Sequence, residues 1–311
     1  MNDFNNLKES GIRYGGNKTK KLGVIINGEN WFLKFPKSTK DLIRKTDLSY
    51  TTSPLSEYIG SRIYKTIGIP VHDTMLGIKN NKVVVACKDF RKNQSNYRFD
   101  DFNSIKNDYV EGLEEKLEST SSSNLNTINL EEIMIIMEHN PLFIKMPELE
   151  NRFWDMFIVD ALIGNNDRNN GNWGVIVNNK TRETEIASVF DNGSSFNTKS
   201  SDEQIEKIIS DKERFISSAY KTRLCIFSIN NKQINPFEYI ESMENEKCNK
   251  ALLRIIPKID LEKIKDIIYN IPNNYEGIEV ISDIRKDFYY KCIEYRYYNS
   301  LLITYNKLKA E

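Results

Sequence analysis

The alternation of apolar and polar positions changes character along the chain, and the change divides it. In residues 1–90 the apolar positions come in short blocks punctuated by Asn and Gly. Residues 22–26 and 30–35 read as two strands joined through Asn27-Gly28, a strong hairpin signal. Residues 74–78 and 83–87 form a second such pair around Asn80-Asn81. Between the pairs, Thr52-Ser53-Pro54 opens a helix, with Ser53 as N-cap, Pro54 at the first helical position and Glu57 in the first turn. Its core face is Leu55, Tyr58, Ile59, Ile63 and Ile67, and Gly68 ends it.

Beyond Lys88 the period lengthens. Residues 100–150 are polar and irregular, with Glu118 to Asn124 expected as a mobile surface connection and 130–137 as a helix. An apolar run holding Phe153, Trp154, Phe157, Ile158, Ala161 and Leu162 is a helix that stops at Gly164. A hairpin follows, with strands 173–177 and 185–190 around Asn178-Asn179. The remainder predicts helices over 205–220, 236–243, 247–256, 261–271 and 281–309, without internal repeats. The fold class expected is α+β: a small antiparallel β-rich lobe over 1–90 and a mainly helical lobe over 91–311.

Composition removes several function classes. At 311 residues the chain has room for two lobes. Lys+Arg and Asp+Glu balance at 44 each, so no global basic field recruits nucleic acid. The four cysteines lie far apart and the only histidines are His72 and His139, which argues against zinc. No apolar run approaches the ~20 residues of a membrane span, and the first residues lack the regions of a signal peptide. A reducing cytoplasm is the expected compartment.

The chemistry concentrates in a polar loop. After Gly164 come Asp167 and, five residues on, Asn172; the hairpin then leads to Asp191 in a D-x-G turn. Acid, amide, hairpin and second acid follow one another as in a protein-kinase catalytic loop and metal loop. Phosphoryl transfer needs a carboxylate to deprotonate the attacking hydroxyl, and the spacing makes Asp167 the expected base. It also needs hard oxygen ligands for Mg²⁺, which Asn172 and Asp191 are expected to supply. Asn-rich loops are common simply because Asn and Asp tolerate turns, so this loop alone would not decide. A calcium loop starting at Asn165 fails, because its sixth position is Asn170 rather than Gly and its twelfth Ile176 rather than Glu.

Upstream parts appear in the matching order. The run Gly11 to Lys21 contains Tyr14, Gly15, Gly16, Asn17 and Lys18, where adjacent glycines admit a phosphate and lysines add charge. Lys34, flanked by large apolar residues, is either a solvated strand-edge charge or the lysine that grips phosphates. Glu57 is either a helix-dipole acid or the partner of Lys34. Lys88 to Lys92, with Phe90, is a candidate hinge for adenine.

Gly15-Gly16-Asn17, Leu33-Lys34-Phe35-Pro36, Ser56-Glu57-Tyr58, Lys88-Asp89-Phe90-Arg91, Leu162-Ile163-Gly164-Asn165-Asn166-Asp167 and Phe190-Asp191 together resemble, in order, the motifs of HipA-like serine/threonine protein kinases, closest to the compact cell-translocating kinase A branch. The resemblance implies a bilobal kinase-like fold, ATP with Mg²⁺, a protein substrate with a Ser/Thr acceptor and, in toxin–antitoxin members, an antitoxin partner. It also makes Asn169, where the family often has His, a nucleotide-side candidate. The family's regulatory serine precedes the loop glycine by a few residues; here Ile12 and Arg13 stand there and Ser10 lies further upstream. A small-molecule or lipid kinase, or a nucleotide-binding pseudokinase, are the alternatives on the same parts.

Overall fold

The computed structural model describes residues 1–15, 21–40, 48–91, 96–108, 111–113, 117, 127–221 and 224–310. Two compact units emerge from its contacts. The first gathers Met1–Phe90, Ser188–Ala219 and Ile259–Tyr295, and the second Arg91–Ala187, Tyr220–Lys258 and Arg296–Glu311.

The first unit is built on a five-stranded sheet. Its strands are β1 (Asn2–Asp3), β2 (Lys21–Ile26), β3 (Glu29–Lys34), β4 (Thr74–Lys79) and β5 (Lys82–Lys88), in the spatial order β1-β4-β5-β3-β2. Both sequence-predicted hairpins are present, pairing Ile26 with Glu29 and Lys79 with Lys82. Asn27 and Gly28, and likewise Asn80 and Asn81, take positive φ, the twist that matches a two-residue hairpin. Strand alternation then sorts the side chains. Val24, Trp31, Leu33, Phe35, Val84 and Ala86 form one buried cluster, whereas Phe32, Val85 and Cys87 form another with Tyr14 and Tyr58. Lys34, two residues from Phe32, shares the second face.

Helix α1 (Ser53–Ile67) covers that face, because nearly all its side chains are apolar or small and ten of them are buried. Its N-cap is Thr52, not Ser53 as the sequence suggested, and no side chain caps it; Ser53, its hydroxyl 3.1 Å from that of Thr51, is the first helical residue and Pro54 the second. Glu57 accordingly begins the second turn, and the first turn contains no acid. Gly68 ends α1 in the left-handed conformation, as expected. The helix is anchored where the Ser56 hydroxyl donates to the Ser195 carbonyl at 2.8 Å and the Thr52 N–H to that of Thr198 at 3.0 Å.

One expected helix, over 205–220, is broken. Asp202–Ile209 ends at Ser210, and Asp211 then caps a new helix, Lys212–Ile216, by accepting from the N–H groups of Glu213 and Arg214. A cap-forming Asp inside an apolar period competes with continuation, and here it wins. The expected helix over 281–309 runs as Asp283–Arg296, a π-turn at Tyr297–Leu301 and Leu302–Ala310.

The second unit centres on the helix Pro147–Ile163, whose second half, from Met156 onwards, is almost wholly apolar and buried on every side. A three-stranded sheet, β6 (Tyr97–Asp101), β8 (Gly174–Asn178) and β9 (Thr184–Ile186), has β8 in the middle; β7 (Ile128–Asn129) pairs instead with Phe227–Ile229. The strand expected over 185–190 ends at Ile186. Strand β6 and the helix α2 (Phe102–Lys106) occupy part of a stretch that reads as irregular, because Tyr97 to Asp101 are all only half-buried. The ring of Phe102 stacks on Trp173 at 4.4 Å, and Phe153 packs on the same indole at 4.9 Å. The connection expected over 118–124 lies outside the described residues. No helix among the described residues is long and apolar enough to cross a membrane.

Candidate active site

In the first unit the strand–helix packing brings three sequence-predicted residues together. Lys34 closes β3, and its Nζ lies 2.7 Å from Glu57 Oε2 and 2.7 Å from Asp191 Oδ1. Burial would lower the Lys34 pKa, but the charges of Asp191 and then Glu57 outweigh it and hold the ammonium well above its usual range. Glu57 is completely buried. Burial pushes its pKa up, yet the Lys34 charge and the neighbouring His72, with Nε2 at 2.9 Å, leave it well below the usual carboxylate range. Asp191 behaves likewise: burial and Glu57 oppose its charge, and Lys34 overrides them. Its side chain stays 40 % exposed. Lys34 is thus not a solvated strand-edge charge, and Glu57 is not a first-turn dipole acid.

The turn that presents Asp191 is specified locally. Asp191 adopts φ 60°, a left-handed conformation that Asp tolerates better than most residues. Just before it, Val189 forms a parallel bridge to Val71, and the His72 N–H donates to the Val189 carbonyl at 3.0 Å. A Cβ at Gly193 would stand 3.1 Å from Glu57 Oε2, so any side chain there would press on the carboxylate that Lys34 uses.

Sequence reasoning missed the buried groups behind Glu57. His72 Nε2 is 2.9 Å from Glu57 Oε1 and 3.2 Å from Ser61 Oγ, which in turn accepts from Asn192 Nδ2 at 3.0 Å. A histidine two residues after Pro70, beside a strand rich in apolar residues, was the available signal. Lys21, the last lysine of the Gly11–Lys21 run, stands directly opposite Lys34 in the β2–β3 register. Lys21 donates to the Gly15 carbonyl at 2.7 Å, and burial, then Lys34, lower its pKa.

Tyr14 packs on Phe32 with ring centroids 4.6 Å apart. Gly16, Asn17 and Lys18 lie outside the described residues. Lys88 pairs with Glu29 at 2.7 Å, while its N–H donates to the Asp73 carbonyl. Phe90 sits 5.4 Å from Phe190, next to Asp191.

The second unit holds the loop after Gly164. Gly164 ends its helix at φ 68°, and the guanidinium of Arg296 closes over it, within 2.9 Å of where a Cβ would stand. The loop is then a series of side-chain-to-backbone turns. Asn165 Oδ1 accepts from the Asp167 N–H at 3.3 Å, and Asn169 Oδ1 accepts from the Gly171 N–H at 2.9 Å. Asn172 Nδ2 donates to the Asp167 carbonyl at 2.9 Å, so the amide oxygen is the group left to meet a cation. Asn169 Nδ2 reaches Asp167 Oδ1 at 3.3 Å. Asp167 itself is half-buried.

The loop is held from below by Arg168, which sequence reasoning passed over. It is 2 % exposed and grips Asp160 through Nε at 2.7 Å and Nη2 at 3.1 Å, while Nη1 donates to the Asn172 carbonyl at 3.2 Å. An acid inside the apolar run Ile158-Val159-Asp160-Ala161-Leu162 was the clue that a buried cation was needed.

A buried lysine between two carboxylates, with a separate Asp–Asn loop, is the equipment of a protein kinase. No protein-family model matches the chain. It is 36% identical over 284 residues to the serine/threonine-protein kinase CtkA of Helicobacter pylori (strain J99), covering 91% of this chain and 81% of CtkA. The crystal structure of a Helicobacter pylori proinflammatory kinase CtkA superposes with a TM-score of 0.81 at 30% identity, covering 99% of this chain and 98% of that one. HipA from a Shewanella oneidensis MR-1 complex with HipB and operator DNA shares the fold, with a TM-score of 0.54 at 13% identity over 96% of this chain and 70% of HipA. The chain belongs to the serine/threonine-protein kinases of the CtkA type.

Proposed function

We propose that Lys34 grips the nucleotide phosphates, that Glu57 fixes its direction, that Asp191 and Asn172 hold Mg²⁺, and that Asp167 is the base for a Ser or Thr hydroxyl on a protein substrate. The observation that carries this reading is Lys34 Nζ at 2.7 Å from both Glu57 and Asp191. A cation held charged in the interior beside a half-exposed carboxylate matches a polyphosphate with its metal. The donors suit a hard cation: Asp191 offers carboxylate oxygens and Asn172 an amide oxygen, with no thiolate or imidazole among them. When bound, the ion neutralises charge on the phosphate oxygens during transfer.

Around these, Tyr14, Gly15, Gly16, Asn17 and Lys18 form the loop over the phosphates, and Lys88 and Phe90 border the adenine. Asn169 steadies Asp167 from the nucleotide side, a role supported by its 3.3 Å contact with the carboxylate. Residues 1–90 as the nucleotide-gripping lobe and 91–311 as the catalytic lobe belong to the same proposal. HipA is held with HipB in its complex, so an antitoxin-type partner is part of the proposal here. The balanced charge supplies no field for direct nucleic-acid binding.

Transfer from labelled ATP to the kinase itself and to a Ser/Thr protein substrate, with Mg²⁺ present and then chelated, tests the assignment. Asp167→Asn should lose most turnover yet keep nucleotide binding, because the base acts on the acceptor hydroxyl. Asp191→Asn should also weaken Mg²⁺-dependent ATP binding. The reverse pattern would exchange their roles.

A further inference from the structure

Glu57 has two oxygens and a different partner on each. Oε2 meets Lys34 at 2.7 Å, and Oε1 meets His72 Nε2 at 2.9 Å, with the Glu57 and His72 side chains fully shielded from solvent. Ser61 lies four residues after Glu57, on the same side of α1. Its hydroxyl stands 3.2 Å from the same Nε2 and accepts from Asn192 Nδ2 at 3.0 Å. Asn192 is wholly buried and follows Asp191 directly. The contacts therefore run Asp191, Lys34, Glu57, His72, Ser61, Asn192, and close on the residue next to their starting point.

Two features make this more than core polarity. A buried carboxylate held at one oxygen can swing about its side chain, whereas one held at both presents a fixed edge to Lys34. The loop's backbone is stitched at the same place, through the Val71–Val189 bridge and the bond from His72 N–H to the Val189 carbonyl. One short pairing thus sets both the imidazole and the approach to Asp191.

We infer that His72 is a positioning residue for phosphoryl transfer: it fixes the Glu57 carboxylate that aims Lys34 and, through Ser61 and Asn192, the turn that aims Asp191. This role rests on the assignment of Lys34 and Asp191 proposed above. A metal is the other occupant conceivable for the cluster, since ligand atoms of Glu57, His72 and Cys87 lie within 4.8 Å of one another. The Lys34 ammonium already sits 2.7 Å from the same carboxylate, and burial keeps the Cys87 thiol protonated, so a hydrogen-bonded network fits the charges better than a second cation.

The test compares initial rates over ranges of ATP and of protein-substrate concentration for the full chain carrying His72→Leu, His72→Gln, Glu57→Leu, Ser61→Ala, Lys34→Met, or Glu57→Leu paired with His72→Leu or with Ser61→Ala. His72→Leu should lower kcat by ~10–100-fold, the usual effect of removing a supporting hydrogen bond behind a reacting group. The KM for the protein substrate should stay within about twofold, since positioning here acts on the phosphate side. His72→Gln keeps an N–H near the Nε2 position and should recover to within about threefold. In the Glu57→Leu background, His72→Leu should add less than about twofold, because the partner is already gone. Should His72→Leu not fold, Ser61→Ala reads the same link and should fall several-fold, again without effect once Glu57 is replaced. Wild-type turnover in folded His72→Leu or Ser61→Ala, with Lys34→Met inactive, overturns the role of His72 alone. Equal damage from Leu and Gln makes His72 mere packing. Activity in Lys34→Met overturns the site assignment itself.

Discussion

Lys34 keeps its charge where burial alone would remove it, because two carboxylates stand 2.7 Å away. Its removal should act on two observables at once. Lys34→Met should reduce kcat by about a hundredfold or more, as loss of a preorganised charge does. It should also lower stability by on the order of 3 kcal/mol, since Glu57 is left buried with one partner fewer. A solvated edge lysine would give ~0.5 kcal/mol or less and normal turnover. Rates measured below the melting temperature of each protein, with circular dichroism as the folding control, separate the two outcomes. Glu57→Gln should show a milder loss of turnover, because the amide still offers an oxygen to Lys34.

At the scale of elements, the loop after Gly164 depends on the helix Pro147–Ile163 for more than its starting point. Arg168 fastens the loop to Asp160 of that helix and to the Asn172 carbonyl, so one guanidinium sets the span between Asp167 and Asn172. Arg168→Leu takes the guanidinium away from the buried Asp160 carboxylate, leaving it the Asn165 amide at 3.2 Å, and should cost ~3–5 kcal/mol. Replacing both residues, as Asp160→Asn with Arg168→Leu, should recover part of that stability while turnover stays low, because the loop has lost its tether. Urea midpoints and initial rates on the two variants check this; full recovery of turnover in the double variant would show that the tether is dispensable. Asn165, Asn169 and Asn172 shape the same loop through side-chain bonds to its backbone, which is why an amide-rich sequence forms an ordered turn series here.

At the scale of the whole molecule, these charges predict how the fold meets acid. Glu57 has a native pKa below its unfolded value, so its contribution is complete above the ordinary glutamate range, ~4.3, and is lost as pH falls through the native value. Burial opposes the charged form, and Lys34 and His72 outweigh it. Asp191 contributes with the same sign and less weight, being 40 % exposed. Stability should therefore decline steadily from about pH 5 downwards, and Glu57→Gln should decline less steeply over that window. Urea midpoints at pH 7 and pH 4 for both proteins decide it. An equal drop in the two would remove Glu57 as the source.

The hairpins at Asn27-Gly28 and Asn80-Asn81, the α1 stop at Gly68, the helix stop at Gly164 and the order of Lys34, Glu57, Asp167, Asn172 and Asp191 were all legible in the chain. Each follows from local backbone preference or from residue type at fixed spacing, and such signals do not depend on what packs nearby. Strand β6 and the break at Asp211 were not legible, because a half-buried strand lacks a clean alternation and a capping Asp reads like any polar residue in a helical period. Nor could the chain disclose that His72, Ser61 and Asn192 line up behind Glu57, or that Arg168 finds Asp160. Hydrogen bonds between residues as far apart as Ser61 and Asn192 leave no periodic trace; they exist only once sheet, helix and turn are packed. Charge states follow the same division: the sequence placed a lysine and two acids in order, and their burial at 2.7 Å, decided by tertiary packing alone, makes Lys34 a held cation rather than a surface one.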